Sequence, residues 1–166
     1  MREVVAQACG CRPAEIGFTT GPFGKPRLTK VALCFSTSHS GDVWAIAIGD
    51  RELGLDIELI DPAFDRAGTI GLFAPGEQQA LTALSGQAAL DAFFACWTRK
   101  EAFVKAIGLG LSHPLTAFEV SVGAEPALLG GGEGWRLLAP RLASGLAATI
   151  AVTDDGSPVE LTMVRH

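Results

Sequence analysis

An α+β fold is what this sequence predicts, on three observations. Strand-like apolar runs cluster early, at 33–40, 43–48 and 55–59. They cluster again late, at 118–122, 135–138, 146–152 and 159–164. The helical stretches are grouped between these clusters instead of alternating with single strands, which is the α+β pattern with mostly antiparallel sheet. At 166 residues and 48% apolar composition, the chain suits one domain with a sizeable core.

Taken in order, residues 2–8 predict a short helix that stops at the Cys-Gly-Cys stretch. Pro13 to Phe18 lead into a short strand. The sequence GPFGKP at 21–26 is a turn that presents Lys25 and is followed by Arg27. Residues 33–40, LCFSTSHS, read as a strand running into a polar turn that Gly41 and Asp42 continue. Val43–Ile48 and Leu55–Leu59, with their short connection, predict a hairpin. A helix is expected over 62–72, weakened by Gly68 and Gly71. Another opens at Phe73-Ala-Pro-Gly-Glu77, with Pro75 near its first turn and Leu81 and Leu84 toward the core. Ser85-Gly86-Gln87 breaks it.

Residues 91–108, DAFFACWTRKEAFVKAIG, form the helix around which the rest is organised, with Asp91 on its N-terminal side and Gly108 as its C-terminal cap. At about 100° per residue, Phe93, Cys96, Trp97, Phe103, Val104 and Ile107 fall in one arc. Lys100 lies in the middle of that arc, and Glu101 and Lys105 lie along one edge. A lysine on an apolar face requires an anion. Glu101 and Lys105 are spaced to pair with each other at i,i+4. Alternatively, this face closes over a charged ligand, with a carboxylate for a metal and lysines for phosphate. The helix alone leaves both open.

Composition excludes several classes. No apolar run approaches the ~20 residues needed to cross a bilayer, and the N-terminus carries acid where a signal peptide would not. A cytoplasmic location without membrane association is expected. The net charge of −5 and the lack of a basic run argue against nucleic acid. Cys9, Cys11, Cys34 and Cys96 lack zinc-ligand spacing and read as buried free thiols. Gly130-Gly131-Gly132 has no following Lys-Ser/Thr pair and is a flexible turn, not a phosphate-binding loop.

In Gly54-Leu55-Asp56-Ile57-Glu58 the two carboxylates share one strand face. Alone, the pair fits a solvated sheet face. Beside Glu101 it supplies three hard oxygen ligands, the chemistry Mg²⁺ favours, and Lys100 and Lys105 would then reach the same phosphates. Ser38-His39-Ser40 can hold a phosphate or can cap its own turn. Ser38 and Ser40 lack the G-x-S-x-G context, so a serine hydrolase is not expected.

The ordered set F-S-T-S-H-S-G-D (35–42), G-L-D-I-E (54–58) and W-T-R-K-E-A-F-V-K-A-I-G-L-G-L (97–111) resembles the Sfp-type 4′-phosphopantetheinyl transferases, and the upstream G-K-P at 24–26 fits as well. The resemblance implies a fold of two pseudo-symmetric half-domains of antiparallel sheet plus helices, here about 1–60 and 61–166. It implies Mg-dependent transfer of 4′-phosphopantetheine from coenzyme A to a serine of an acyl or peptidyl carrier protein, with release of 3′,5′-ADP. In that reading Asp56, Glu58 and Glu101 bind Mg²⁺, with Mn²⁺ as a substitute, and Lys100 and Lys105 contact the transferred phosphate or its neighbour. Ser38 and His39 hold a CoA phosphate, and Lys25 and Arg2 assist at the nucleotide end. Glu101 takes the serine proton directly or through a metal-bound water. Sfp-type members are longer, so a reduced first half-domain is expected, and a monomer is the expected state. Two other functions compete: a non-catalytic CoA- or nucleotide-binding remnant, and a metal-dependent pyrophosphate hydrolase.

Overall fold

The computed structural model describes residues 1–164. Helix α1 (Arg2–Cys9) ends at Gly10, which takes φ 64°. Its Val5 and Ala6 pack with Ile16 into a small core of their own. Strands β1 (Gly17–Thr20) and β2 (Pro26–Thr29) form an antiparallel hairpin around the expected 21–26 turn. The sequence pattern does not predict β2.

Strands β3 (Cys34–Ser40) and β4 (Val43–Gly49) form the next hairpin, with Ser40 opposite Val43 and His39 opposite Trp44. Its two-residue loop is Gly41-Asp42, and Gly41 adopts φ 55°. A left-handed residue in a two-residue loop matches the twist of a hairpin. Two expectations are therefore corrected. Ser38-His39-Ser40 lies on a strand, not on a turn, and the hairpin partner of β4 is β3.

Strand β5 (Leu53–Leu59) does not pair with β4. It joins a later sheet of order β5-β9-β8, with β8 spanning Trp135–Leu138 and β9 spanning Leu146–Thr153. The sheet partners of β5 thus lie beyond residue 60, near which the resemblance implies a division. Between them lie α2 (Arg66–Ile70), shorter than the 62–72 helix expected, and α3 (Pro75–Thr82), with its proline in the first turn. Two short strands, β6 (Glu119–Val120) and β7 (Leu128–Gly130), pair with each other. Residues 159–164, expected as a strand, are unpaired. Apolar alternation supplies a face for such a segment but no partner edge.

Helix α4 (Gly86–Ile107) starts five residues before Asp91, with Ser85 at its N-cap, and ends at Gly108 with φ 71°. Asp91 lies inside it and accepts a hydrogen bond from Gln87 Nε2 at 2.8 Å. The predicted arc holds: Phe93, Cys96, Phe103 and Val104 are buried with Phe73, Phe118 and Val120. Across α4 and β9, the Thr98 and Thr149 hydroxyls meet at 3.0 Å.

Gly54 is where β5 and α4 touch backbone to backbone. A Cβ at this position would lie 2.8 Å from Ala106 Cα, and closer still to the Ala102 carbonyl oxygen and the Ala106 amide nitrogen. Backbone atoms of a helix cannot swing aside as a side chain can. Gly54→Ala is expected to destabilise the protein by about 3 kcal/mol, as overpacking does. Urea denaturation checks this, and a wild-type midpoint would show that α4 can retreat. The close approach also sets the site, because Asp56 and Glu58 follow Gly54 on the same face of β5.

Candidate active site

Six of the nine residues singled out in the sequence line one open cleft of about 380 Å³. β3 contributes Thr37, Ser38 and His39, and β4 contributes Trp44. Asp56 and Glu58 enter from β5, and Trp97, Glu101 and Lys105 from α4. The helix residues lie four apart, so one edge of α4 presents all three.

Asp56 is the most buried of the cleft's acids, 3% exposed. Its Oδ1 accepts from Lys105 Nζ at 2.7 Å and from the Ser38 hydroxyl at 3.0 Å. Its Oδ2 is buried and has no hydrogen-bond partner among the described residues. Burial raises its pKa from 3.8 to about 6, against the pull of Lys105 and Ser38, with Glu58 pushing the same way as burial. Glu58 is held on both oxygens: Oε2 accepts from the Ser40 hydroxyl at 2.8 Å, and Oε1 from Trp97 Nε1 at 3.3 Å. Glu101 is raised above the usual carboxylate range by burial and, to a smaller degree, by Glu58, while Lys105 pulls it down.

His39 stacks on Trp44, with centroids 4.5 Å apart and planes 14° from parallel. Trp44 is 73% exposed and forms the cleft's aromatic rim. Hydrophobic pattern alone does not single out Trp44 as a site residue. The signal was available, because a two-residue loop at Gly41-Asp42 makes Trp44 the cross-strand neighbour of His39. Trp97, expected only as a core anchor, also holds Glu58.

Ser38 lines the cleft from its strand, but its hydroxyl is engaged within the fold. Its hydroxyl donates to Asp56 and accepts from the Ile57 amide at 3.2 Å and Lys105 Nζ at 3.1 Å. One donor and two lone pairs are then filled, which leaves no capacity for a phosphate in this arrangement.

Three predicted ligand contacts lie elsewhere. Lys100 is 0% exposed, and its Nζ donates to Glu77 Oε1 at 2.7 Å and to the Phe118 carbonyl at 2.9 Å. Within the fold, Glu77 supplies the anion that the apolar arc required. Lys25 gives its three donors to Glu52 Oε2 at 2.9 Å, Leu53 O at 3.0 Å and Ala106 O at 2.6 Å. It clamps the start of β5 to the end of α4. Arg2 hydrogen-bonds the Ile16 carbonyl and covers the Phe18 ring, far along the chain from the acids.

Three carboxylates and one lysine face the cleft, an excess of negative charge that invites a cation. Among the described residues, no three His, Cys, Asp or Glu side chains are drawn close enough to hold a metal by themselves. The donors nevertheless suit Mg²⁺, which is commonly held by one or two carboxylates together with water and substrate phosphates. The unpartnered Asp56 Oδ2 is the oxygen best placed by chemistry to serve it.

Residues 52–143 match the family model of the 4′-phosphopantetheinyl transferase superfamily. A 4′-phosphopantetheinyl transferase of Bacillus subtilis is 36% identical over 125 residues, covering 72% of this chain and 54% of the relative. The transferase HetI of a Nostoc species is 30% identical over 163 residues, covering 94% of this chain and 68% of the relative. Most of these relatives are longer: the chain spans about half the length of the first two it matches. Among solved structures, the holo-(acyl-carrier-protein) synthase of Bacillus anthracis in complex with CoA (3′,5′-ADP) is similar at TM-score 0.48 and 19% identity, over 61% of this chain and 94% of that one. No helix among the described residues is long and apolar enough to cross a membrane.

Proposed function

The chain belongs to the 4′-phosphopantetheinyl transferase superfamily, and from that premise we propose that it moves 4′-phosphopantetheine from coenzyme A to a serine of an apo acyl or peptidyl carrier protein, releasing 3′,5′-ADP. The observation that carries this reading is the meeting of Asp56, Glu58, Glu101 and Lys105 with His39 in one open cleft.

Mg²⁺, or Mn²⁺ in its place, would be held by Asp56, Glu58 and Glu101 with the pyrophosphate, where it neutralises charge on the phosphate oxygens. Lys105 sits beside Asp56 and can turn its ammonium to the same oxygens, stabilising the charge that develops as 3′,5′-ADP leaves. His39 is on the exposed side of β3 and meets a CoA phosphate from the cleft's rim. The incoming serine must lose a proton. Glu101 is the acceptor, directly or through one water, and burial makes it a better base than an ordinary carboxylate. We leave Arg2, Lys25 and Lys100 out of the ligand-binding set, because their donors are committed within the fold.

The test is to incubate the protein with CoA, Mg²⁺ and several apo carrier proteins and weigh the carriers by mass spectrometry. A phosphopantetheine adduct is expected. CoA binding without an adduct on any carrier would favour a binding remnant, and CoA cleavage without a carrier would favour a hydrolase. Glu101→Gln is expected to lower the rate of adduct formation about a hundredfold or more at saturating Mg²⁺. Near-normal turnover in that variant would remove Glu101 as the acceptor.

A further inference from the structure

The edge of β5 that faces away from β9 is closed by side chains. In an antiparallel ladder, alternate residues point their amides to the same edge. Residues 52 and 60 face β9, since Thr153 N donates to Glu52 O at 3.0 Å and Ile60 N to Gly145 O at 2.8 Å. Leu55, Ile57 and Leu59 therefore face the other way, toward β3. Their amides would be unpaired, which is costly for a buried edge. Three serines of β3 receive them in turn. Ser36 Oγ accepts from Leu55 N at 2.9 Å, Ser38 Oγ from Ile57 N at 3.2 Å, and Ser40 Oγ from Leu59 N at 2.9 Å. The spacing of two on both strands keeps the rungs in step.

Two of the three rungs also touch an acid. Ser38 donates to Asp56 Oδ1 at 3.0 Å, and Ser40 donates to Glu58 Oε2 at 2.8 Å. With an amide on one lone pair the hydroxyl still has its proton to give, and at Ser38 and Ser40 that proton goes to a cleft carboxylate. Ser36 has no such acid within its hydrogen bonds among the described residues.

We infer that Ser36, Ser38 and Ser40 form a hydroxyl ladder that replaces backbone pairing between β3 and β5, and that Ser38 and Ser40 are positioning residues that set where Asp56 and Glu58 present their oxygens to a divalent cation. The metal part rests on the function proposed above. The arrangement ties the strand that carries His39 to the strand that carries the acids, one hydroxyl per residue pair, so both walls of the cleft keep a fixed register. Ser40 is the better one to test, because Ser38 also touches Lys105.

The experiment compares Ser36→Ala, Ser40→Ala and Ser40→Thr in the full chain. Amide hydrogen exchange reads the ladder, and Mn²⁺ binding in the presence of CoA, followed by electron paramagnetic resonance, reads the carboxylates. Exchange at Leu55 N should quicken in Ser36→Ala and at Leu59 N in Ser40→Ala. Mn²⁺ affinity should fall about 10- to 100-fold in Ser40→Ala, as for other outer partners of metal ligands. It should hold in Ser36→Ala and return toward wild type in Ser40→Thr, which keeps the hydroxyl. Equal losses of Mn²⁺ affinity in Ser36→Ala and Ser40→Ala would reduce the ladder to a structural role. Unchanged Mn²⁺ affinity in Ser40→Ala, with quickened exchange, would overturn the positioning claim. Failure of the wild-type protein to bind Mn²⁺ with CoA would instead overturn the proposed metal role and, with it, the cation part of the inference.

Discussion

Asp56→Asn is expected to cut transfer about a thousandfold and at the same time stabilise the ligand-free protein. Both effects come from one environment. Asp56 is buried, keeps one oxygen without a partner, and has its pKa raised from 3.8 to about 6 in the fold. Burial outweighs the attraction of Lys105 and Ser38, so the ionised form is disfavoured in the native state. The native protein binds a proton more tightly than the unfolded chain. Below about pH 3.8 the group is protonated in both states and its contribution is fully present. As pH rises through the window to about 6 the contribution is lost, and above that it stays lost. At about 1.4 kcal/mol per pH decade, the difference is about 3 kcal/mol. An amide of the same shape does not ionise, so the variant should gain about 1–3 kcal/mol at pH 7, the lower end allowing for the partner Lys105 loses. Its stability should also be flat in this group's window where the wild type declines. Without the carboxylate the cleft loses its most buried anionic oxygen, and transfer should fall about a thousandfold. Urea midpoints at pH 4.5 and 7, with the carrier adduct assay, check all three effects. A variant less stable than wild type at pH 7 would show that the Lys105 pair dominates burial.

Much of that site was legible in the sequence, and the reason is local geometry. The alternation in Leu55-Asp56-Ile57-Glu58 puts both acids on one face whatever the strand pairs with, and the helical step puts Glu101 and Lys105 on one edge of α4. The face that holds Asp56 and Glu58 proved to be covered by α4 and not by solvent, as Gly54 shows: a glycine two residues before the first acid permits the helix to lie against the strand. What was not legible depends on partners distant in the chain. Hydrophobic pattern predicted β5 but not that it would pair with β9, some ninety residues later, so β4 was given to it instead. The segment 159–164 has the pattern of a strand and joins no sheet. Ser38 and Ser40 look like turn chemistry because serine is common in turns, and only the adjacent amides of β5 give the spacing of two from Ser36 onward a meaning. The family resemblance sends Lys25 to the nucleotide end and Lys100 to a phosphate, because a lysine in a motif reads as a charge awaiting an anion. Each had an acceptor set inside the fold, supplied by elements that composition and spacing do not connect.

Lys100→Met should therefore unfold the protein more readily without changing how a folded molecule binds CoA. Lys100 and Glu77 are an ion pair with both side chains 0% exposed and 2.7 Å between nitrogen and oxygen. Burial pushes the lysine's pKa down, and Glu77 pulls it back up. The pair sits in a fuller network. Glu77 Oε1 also accepts from Val120 N at 2.7 Å, and Oε2 accepts from Ala74 N at 2.8 Å. The ammonium lies 4.1 Å from the centre of the Phe118 ring and donates to the Phe118 carbonyl. One lysine thus joins α4 to the start of α3 and to β6. Removing it leaves a carboxylate buried with only neutral donors, and breaking such a pair costs about 3–5 kcal/mol. For a domain of this size the melting temperature should drop by about 10 °C. Joining Glu77→Gln to Lys100→Met removes the stranded charge, so the double variant should recover a large part of the loss, a coupling that the double-mutant cycle measures directly. The phosphate-contact reading of Lys100 predicts the reverse: near-normal stability, a CoA affinity many-fold weaker, and no rescue by a change at Glu77, because a phosphate contact has no coupling to a carboxylate on α3. Denaturation curves and CoA titration on the two single variants and the double variant separate these readings, since only the structural pair moves stability and rescue together while leaving the cleft of Asp56, Glu58 and Glu101 untouched.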